Sequence, residues 1–227
     1  MQRHFVQELE ALKTSIIKMG SLDEQAIAES IRSLLEARKD IAQQVIAQDK
    51  QIDAMEITLD QQVVDLLALQ QHVATDLRFI LAAAGITTDL ERIGDHAVNI
   101  AESAVYYSTR PPVKPLVDIP QMARITQQML RDVIDGFIHN SPSLCRAVLA
   151  NDDVIDDLNR RVVSDLVVIM RQNPESIEAA LELIRVSRNL ERVADLATNI
   201  AEEVIFMAEA EVVKHHLGER NSAGNAP

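Results

Sequence analysis

The sequence predicts an all-α protein built from two pseudo-symmetric three-helix bundles, six long helices in all, and three observations carry that expectation. Residues 90–102, LERIGDHAVNIAE, return at 190–202 as LERVADLATNIAE, with nine of thirteen positions identical. Apolar residues recur at helical spacing along almost the whole chain, and no segment alternates apolar and polar residues at period two between turn signals. The composition agrees: 47% hydrophobic but only 3% aromatic, no Trp, six glycines and seven prolines, a palette suited to long helices packed through aliphatic seams.

The elements follow in order. Phe5, Leu9, Leu12, Ile16, Met19, Ala26, Ile27, Ile31 and Leu34 share one side of a first helix from Arg3 to Glu36, with Gly20 as a candidate kink. Asp40 and Gln43 have the spacing of a capping box and open a second helix reaching Gln70 through Val45, Ile52, Met55, Leu59, Val63 and Leu66. Thr75 caps a third, which runs to Tyr107. Arg110-Pro-Pro-Val-Lys-Pro-Leu then forbids helix, because proline removes a donor and restricts the residue before it. A fourth helix is expected from Pro120 to the turn at His139–Pro142, and a fifth from Leu144 to Arg171. Asn173-Pro174-Glu175 combines a cap, an N1 proline and an acidic first turn for a sixth, ending near Gly218. The expected organisation is therefore one repeat over 1–109, a Pro-rich linker over 110–119, a second repeat over 120–217 and a disordered polar tail over 218–227.

A formal net charge of -13 argues against nucleic acid as a partner, since that affinity comes mostly from Lys and Arg on phosphates. Metal cations and basic protein surfaces are the better fit. The single cysteine, Cys145, rules out an intramolecular disulfide framework and reads as a small buried hydrophobe. Neither a signal peptide nor an apolar run of membrane-spanning length is evident, so a cytoplasmic protein is expected, touching membranes only peripherally through partners.

The polar part of the repeat carries the chemistry. At 100° per residue, Glu91, Asp95, Asn99 and Glu102 fall within roughly 80° of one another on a helix, and Glu191, Asp195, Asn199 and Glu202 reproduce the stripe. The neighbouring helices add rows of their own: Asp49, Asp53, Glu56 and Asp60 in the first unit, and Asp152, Asp153, Asp156 and Asp157 in the second. Carboxylates four residues apart repel on an isolated helix, so the grouping asks for a compensating partner. Arg92, Arg192 and Arg188 offer surface ion pairs at three-residue spacing, but Glu91 has no basic residue at i±3 or i±4. A metal site on each unit compensates better, with a Glu-x-x-x-Asp pair on one helix facing an Asp-x-x-x-Asp pair on its neighbour. Such all-oxygen ligation suits hard cations, Mg²⁺, Ca²⁺, Mn²⁺ or iron. The candidate ligands are Glu91, Asp95, Asp49 and Asp53, and Glu191, Asp195, Asp152 and Asp156; Asn99, Asn199, Glu102, Glu202, Arg92 and Arg192 are candidate supports. His96 has Leu196 as its repeat partner and reads as a surface residue, and Gly94 and Ala194 offer room for a metal cluster or a helix.

The paired LERIGD and LERVAD strings, spaced by 100 residues within six expected helices, resemble the PhoU family of bacterial phosphate-homeostasis regulators over all but the C-terminal tail. The resemblance implies PhoU-like bundles, a homodimer, and iron or other divalent metal bound at the doubled motif, with Fe, Zn, Mn, Mg and Ni all admissible. It assigns the motif carboxylates to Glu91, Asp95, Glu191 and Asp195, and matches the helix-two acids less rigidly. It further implies a regulator without a reaction of its own, contacting the ATPase of a phosphate ABC transporter and a phosphate-sensing histidine kinase, and restraining phosphate uptake and the starvation response. Asn159 stands where the first unit has Glu56, so the two sites are expected to differ in occupancy.

The alternative is a carboxylate-bridged di-metal enzyme on a helical bundle. No Glu in the chain is followed by His three residues later, the spacing ferritin-like sites use, and there is no phosphate-binding loop of the G-x-x-x-x-G-K-[ST] type. His215 and His216, near the C-terminus, are expected to have no role.

Overall fold

The computed structural model describes residues 2–68, 74–113 and 118–210. Its helices are α1 (Gln2–Leu35), α2 (Lys39–Ala68), α3 (Ala74–Tyr107), α4 (Asp118–His139), α5 (Pro142–Leu149), α6 (Asp152–Gln172) and α7 (Ile177–Glu209), with a short 3₁₀ turn at Pro174–Ser176 before the last. No strand occurs among the described residues. Helices α1–α3 pack as one three-helix bundle, and α4 with α7 and the α5–α6 pair as the second. The expected architecture is therefore present, with one expected helix broken in two.

The break falls at Ala150 and Asn151. Asn151 flanks α6 on its N-terminal side, and Asp152 and Asp153 occupy its first turn, where carboxylates are favoured by the positive end of the helix dipole. The equivalent stretch of the first bundle is the uninterrupted α2, so Asp152 begins a helix whereas Asp49, its counterpart, lies inside one.

The core is aliphatic. Leu12, Ile16, Met19, Ile27, Ile31 and Leu34 of α1 are buried at the expected spacing, and Phe5, Leu9 and Ala26 pack against them partly exposed. Gly20 does not interrupt α1: a Cβ there would stand 2.5 Å from Ile134 Cδ1, so the glycine admits α4 against α1. Helices α3 and α7 make the most extensive contact between elements, and α7, touching α3, α4, α5 and α6, leaves a stripe through Glu178, Leu181, Arg185, Arg188 and Arg192 exposed. The motif helices thus form the spine between bundles. Phe137 of α4, 1% exposed, stacks on Phe79 of α3 with ring centroids 6.1 Å apart. Cys145 is buried, and a Cβ on Gly136 would lie 2.7 Å from its Sγ.

The helix ends repeat as well. After α1, Arg38 N–H donates to Ser33 O at 2.9 Å and Ala37 N–H to Leu34 O at 3.4 Å, with Ala37 at φ 52°. After α4, Ser141 N–H donates to Gly136 O at 2.8 Å and Asn140 N–H to Phe137 O at 3.4 Å, with Asn140 at φ 49°. Both are Schellman closures, in which the left-handed residue favours Gly or Asn and disfavours Ala. Ala37→Gly is accordingly expected to stabilise the protein by about 0.5–1 kcal/mol, read as an upward shift of the urea midpoint at unchanged m.

Some expected ends differ. Asp40 does not form a capping box; it takes the Arg38 guanidinium at 2.8 and 2.5 Å, and α2 begins one residue earlier. The Asn173 side chain accepts from Glu175 N–H as the cap signal implies, but it opens the 3₁₀ turn rather than α7 directly. Helix α7 stops at Glu209 with Ala210 left-handed at φ 59°; the expected end near Gly218, His215, His216 and the tail lie outside the described residues. Of the expected linker, residues 110–113 fold back, Tyr107 Oη accepting from Val113 N–H at 2.9 Å. Residues 114–117 are outside the description, and α4 starts at Asp118 rather than Pro120.

Candidate metal centre

In the first bundle α2 and α3 pack side by side, and the phase of each helix turns its acids toward the other. Asp49 and Glu56 are half-buried, as is Glu91, while Asp53 and Asp95 are exposed. Burial, reinforced by Asp53 and Asp95, pushes the Asp49 carboxyl up to about 6. Burial also raises Glu91, with Asp95, Glu56, Asp53 and Asp49 all adding to it. Glu56 moves the same way, through burial and then Asp60, Asp53 and Asp95. Among the described residues no cationic side chain offsets any of the three shifts, and Asp53 and Asp95 act on all of them. The structure therefore brings the first set of expected ligands into one electrostatic group.

Beneath this row lies an acid that the sequence reading passed over. Asp23 of α1 is 0% exposed, and neither carboxylate oxygen has a hydrogen-bond partner. Burial raises its carboxyl well above the usual range, and Asp49 and Glu91 push it further. An unsatisfied buried polar group costs about 1–3 kcal/mol, and a charged one more. A signal was available: Asp23 is four residues after Met19 and four before Ile27, in phase with the core stripe.

The second bundle is built differently. Burial, Asp195 and Asp156 raise Glu191, but Arg192 and Arg188 oppose them. Asn159 Nδ2 donates to Glu191 Oε2 at 3.0 Å, while Ser187 Oγ donates to Asn159 Oδ1 at 2.8 Å. Arg192 pairs with Asp195 at 3.1 Å. Glu191 and Asp195 here already have protein partners.

The expected supporting residues belong mostly to the seam between the bundles. Arg185 of α7 reaches Asn99 Oδ1 and Glu102 Oε2, each at 3.0 Å. Asn199 bonds Asp89, whose carboxyl burial lifts to about 6 against the pull of Arg92 and that hydrogen bond. Glu202 is half-buried on α7. His96 is not a surface residue: half-buried at the seam, its Nδ1 lies 2.8 Å from Asn189 Oδ1. Because Asn189 Nδ2 donates to Arg185 O at 2.8 Å, its Oδ1 is the end facing the ring, so the imidazole Nδ1–H donates. The phase of a helix shows which residues share a face but not which neighbour that face will meet, and this is why the stripe read as one unit divides between α2 and α7.

A cleft of about 760 Å³ opens along this seam, lined by Asp95, Asp152, Asp156 and Asp195 together with Arg92 and Arg192. Acids of both bundles thus line one open groove. Among the described residues, no three His, Cys, Asp or Glu side chains are already converged as metal ligands. The donor set still fits a hard cation in the first bundle, where every donor is a carboxylate oxygen and two of those oxygens are buried without partners. In the second bundle the fit is poorer, since arginine and asparagine engage the same carboxylates.

The PhoU domain family matches residues 16–104 and 119–204, each match holding one copy of the motif. The chain belongs to the PhoU family. Among PhoU-family relatives, the phosphate-specific transport system accessory protein PhoU homolog of Aquifex aeolicus is 37% identical over 214 residues, 94% of this chain and 97% of that protein. The homolog of Pseudomonas putida is 34% identical over 95% of this chain and 84% of that protein. The crystal structure of PhoU from Pseudomonas aeruginosa superposes with a TM-score of 0.88 at 32% identity, covering 91% of this chain and all of the other. That of the phosphate transport system regulatory protein PhoU from Streptococcus pneumoniae gives 0.86 at 26% identity, over 92% and 99%. The PhoU fold is thus present over nearly the whole described chain, and no helix among the described residues is long and apolar enough to cross a membrane.

Proposed function

We propose that this chain is a cytoplasmic, metal-binding regulator of phosphate homeostasis, a homodimer that contacts the ATPase of a phosphate ABC transporter and a phosphate-sensing histidine kinase and restrains phosphate uptake and the starvation response. The observation that carries the reading is the first bundle's acid row, in which Asp49, Glu56 and Glu91 are all raised by burial and by further carboxylates. A fold that keeps such a row at an electrostatic cost is suited to a cation. Asp49, Asp53, Glu91 and Asp95 would hold it in the first bundle, and Asp152, Asp156, Glu191 and Asp195 in the second. The bound cation, of Fe, Zn, Mn, Mg or Ni type, supplies positive charge that cancels the repulsion and ties the motif helix to its neighbour. The protein's residues then transmit that state, because the same helices make the contact between bundles.

Function by contact rather than catalysis is supported by the names of the relatives, which are accessory and regulatory. It is also supported by large apolar side chains exposed at equivalent positions of both bundles: Leu77 with Ile177, and Leu81 with Leu181, each between 39% and 53% exposed. Duplicated exposure of this kind suits protein surfaces docking on each bundle. The test is binding of the purified chain to the transporter's cytoplasmic ATPase, with divalent metal and with chelator. Wild type is expected to bind at least tenfold more tightly with metal, and Glu91→Ala/Asp95→Ala/Glu191→Ala/Asp195→Ala to lose that gain. Absence of binding by folded wild type under either condition would sink the transporter assignment.

A further inference from the structure

We propose that Asp23 is an inner carboxylate ligand which, with Asp49 of α2 and Glu91 of α3, makes the first bundle a three-helix site for a divalent cation and the tighter of the protein's two sites. The inference rests on the metal-binding reading above and adds to it a ligand, a third helix and an order of filling. Asp23 comes from α1, outside the doubled motif. Its oxygens are fully buried and partnerless, and the ionisable groups that act on it are the carboxylates of Asp49 and Glu91. A proton on one oxygen would create a donor with no acceptor beside it. A cation satisfies both oxygens without needing one.

The packing around Asp23 is open on the Gly94 side. A cavity of about 20 Å³, lined by Asp49 and Gly94 but by neither Asp23 nor Glu91, adjoins it. A Cβ on Gly94 would stand 3.3 Å from Asp23 Oδ1, so glycine at this point of the motif leaves the carboxylate uncrowded. Asp49 and Glu91 are half-buried and lie within electrostatic reach of Asp23.

The second bundle gives the internal control. Ile16, Met19, Ile27 and Ile31 of α1 match Ile119, Met122, Leu130 and Ile134 of α4 at an offset of 103, which sets Thr126 against Asp23. Thr126 is buried too, but its hydroxyl donates to Leu190 O at 3.4 Å. Gly94 is matched by Ala194 and Glu56 by Asn159. At each of these three positions the first bundle has the charge or the space, and the second a neutral or larger group.

The experiment is titration of the chelator-treated full chain with Mn²⁺, followed by calorimetry and by the EPR signal of the free ion. Wild type is expected to show two classes of site. Asp23→Asn should weaken the tight class at least tenfold and spare the other, whereas Glu191→Ala/Asp195→Ala should spare the tight class. The rise in melting temperature on adding Mn²⁺ should shrink with the tight class, and circular dichroism checks the fold. Asp23→Val, which suits the apolar stripe, serves if the asparagine variant folds poorly. Tight binding by either folded variant equal to wild type would overturn the role of Asp23 while leaving the metal-binding reading intact. No Mn²⁺ binding by wild type would overturn both.

Discussion

Replacing Phe137 with alanine is expected to destabilise the protein by about 3–5 kcal/mol, the usual cost of emptying a fully buried aromatic site. Against a total stability of about 5–15 kcal/mol for a typical domain, that is a large fraction. The side chain is 1% exposed and has no Trp or second buried Phe nearby in sequence to refill its space. It also stacks on Phe79, so the pair joins α4 of one bundle to α3 of the other. Urea denaturation monitored by helical ellipticity should show the midpoint fall steeply. Phe79→Ala, at a half-buried position, should cost less. A loss below about 1 kcal/mol for Phe137→Ala would mean that the site collapses around the deletion and that the rings do not hold the bundles together.

The second large effect is on pH dependence. Asp49 and Asp89 are raised to about 6, and Asp23, Glu56, Glu91 and Glu191 are raised as well. Carboxyls raised in the folded state bind more protons there than in the unfolded chain, whose values lie near 4. Their contribution to stability is therefore fully present below about pH 4 and is lost as pH rises through about 6. Asp40, held down to about 2 by its hydrogen bond to Arg38, works in the opposite sense. Its contribution falls away only as pH drops below about 4, outside that window. Chelator-treated protein should consequently melt several degrees higher at pH 5 than at pH 7.5. Saturating Mn²⁺ should reverse the slope, since cations and protons compete for the same oxygens. A flat profile in chelator would show that the acids are not strained in the folded chain.

How far the sequence could be read depended on what kind of fact was asked of it. Helix positions and core faces follow from local spacing, and Leu12, Ile16 and Met19, or Leu90, Ile93 and Ala97, are buried as their phase requires. The doubled motif was plain because identity at a fixed offset needs no structure to detect. The break at Ala150 was hidden because Val148, Ile155 and Leu158 keep helical phase across it, while the cap signal of Asn151-Asp152-Asp153 looked like one more acid row. Asp23 was missed for a related reason: a solitary acid inside an apolar stripe draws attention only if the stripe is checked for what interrupts it. The roles of Asn99, Asn199 and His96 depend on which helix α3 and α7 meet across the seam. That is a tertiary fact, and no local pattern encodes it.

The polar seam between α3 and α7 bears on how the two halves could drift apart after duplication. Each motif string faces a neighbouring acid row on one side and the sister string on the other, so most of its polar positions answer to two constraints at once. His96 bonds Asn189, and the counterpart pairing by pseudo-symmetry would set Leu196 against Asp89, which cannot bond to each other; Asp89 has turned to Asn199 instead. The seam therefore joins two electrostatically different halves: in the first the acids strain one another, and in the second arginine and asparagine temper them.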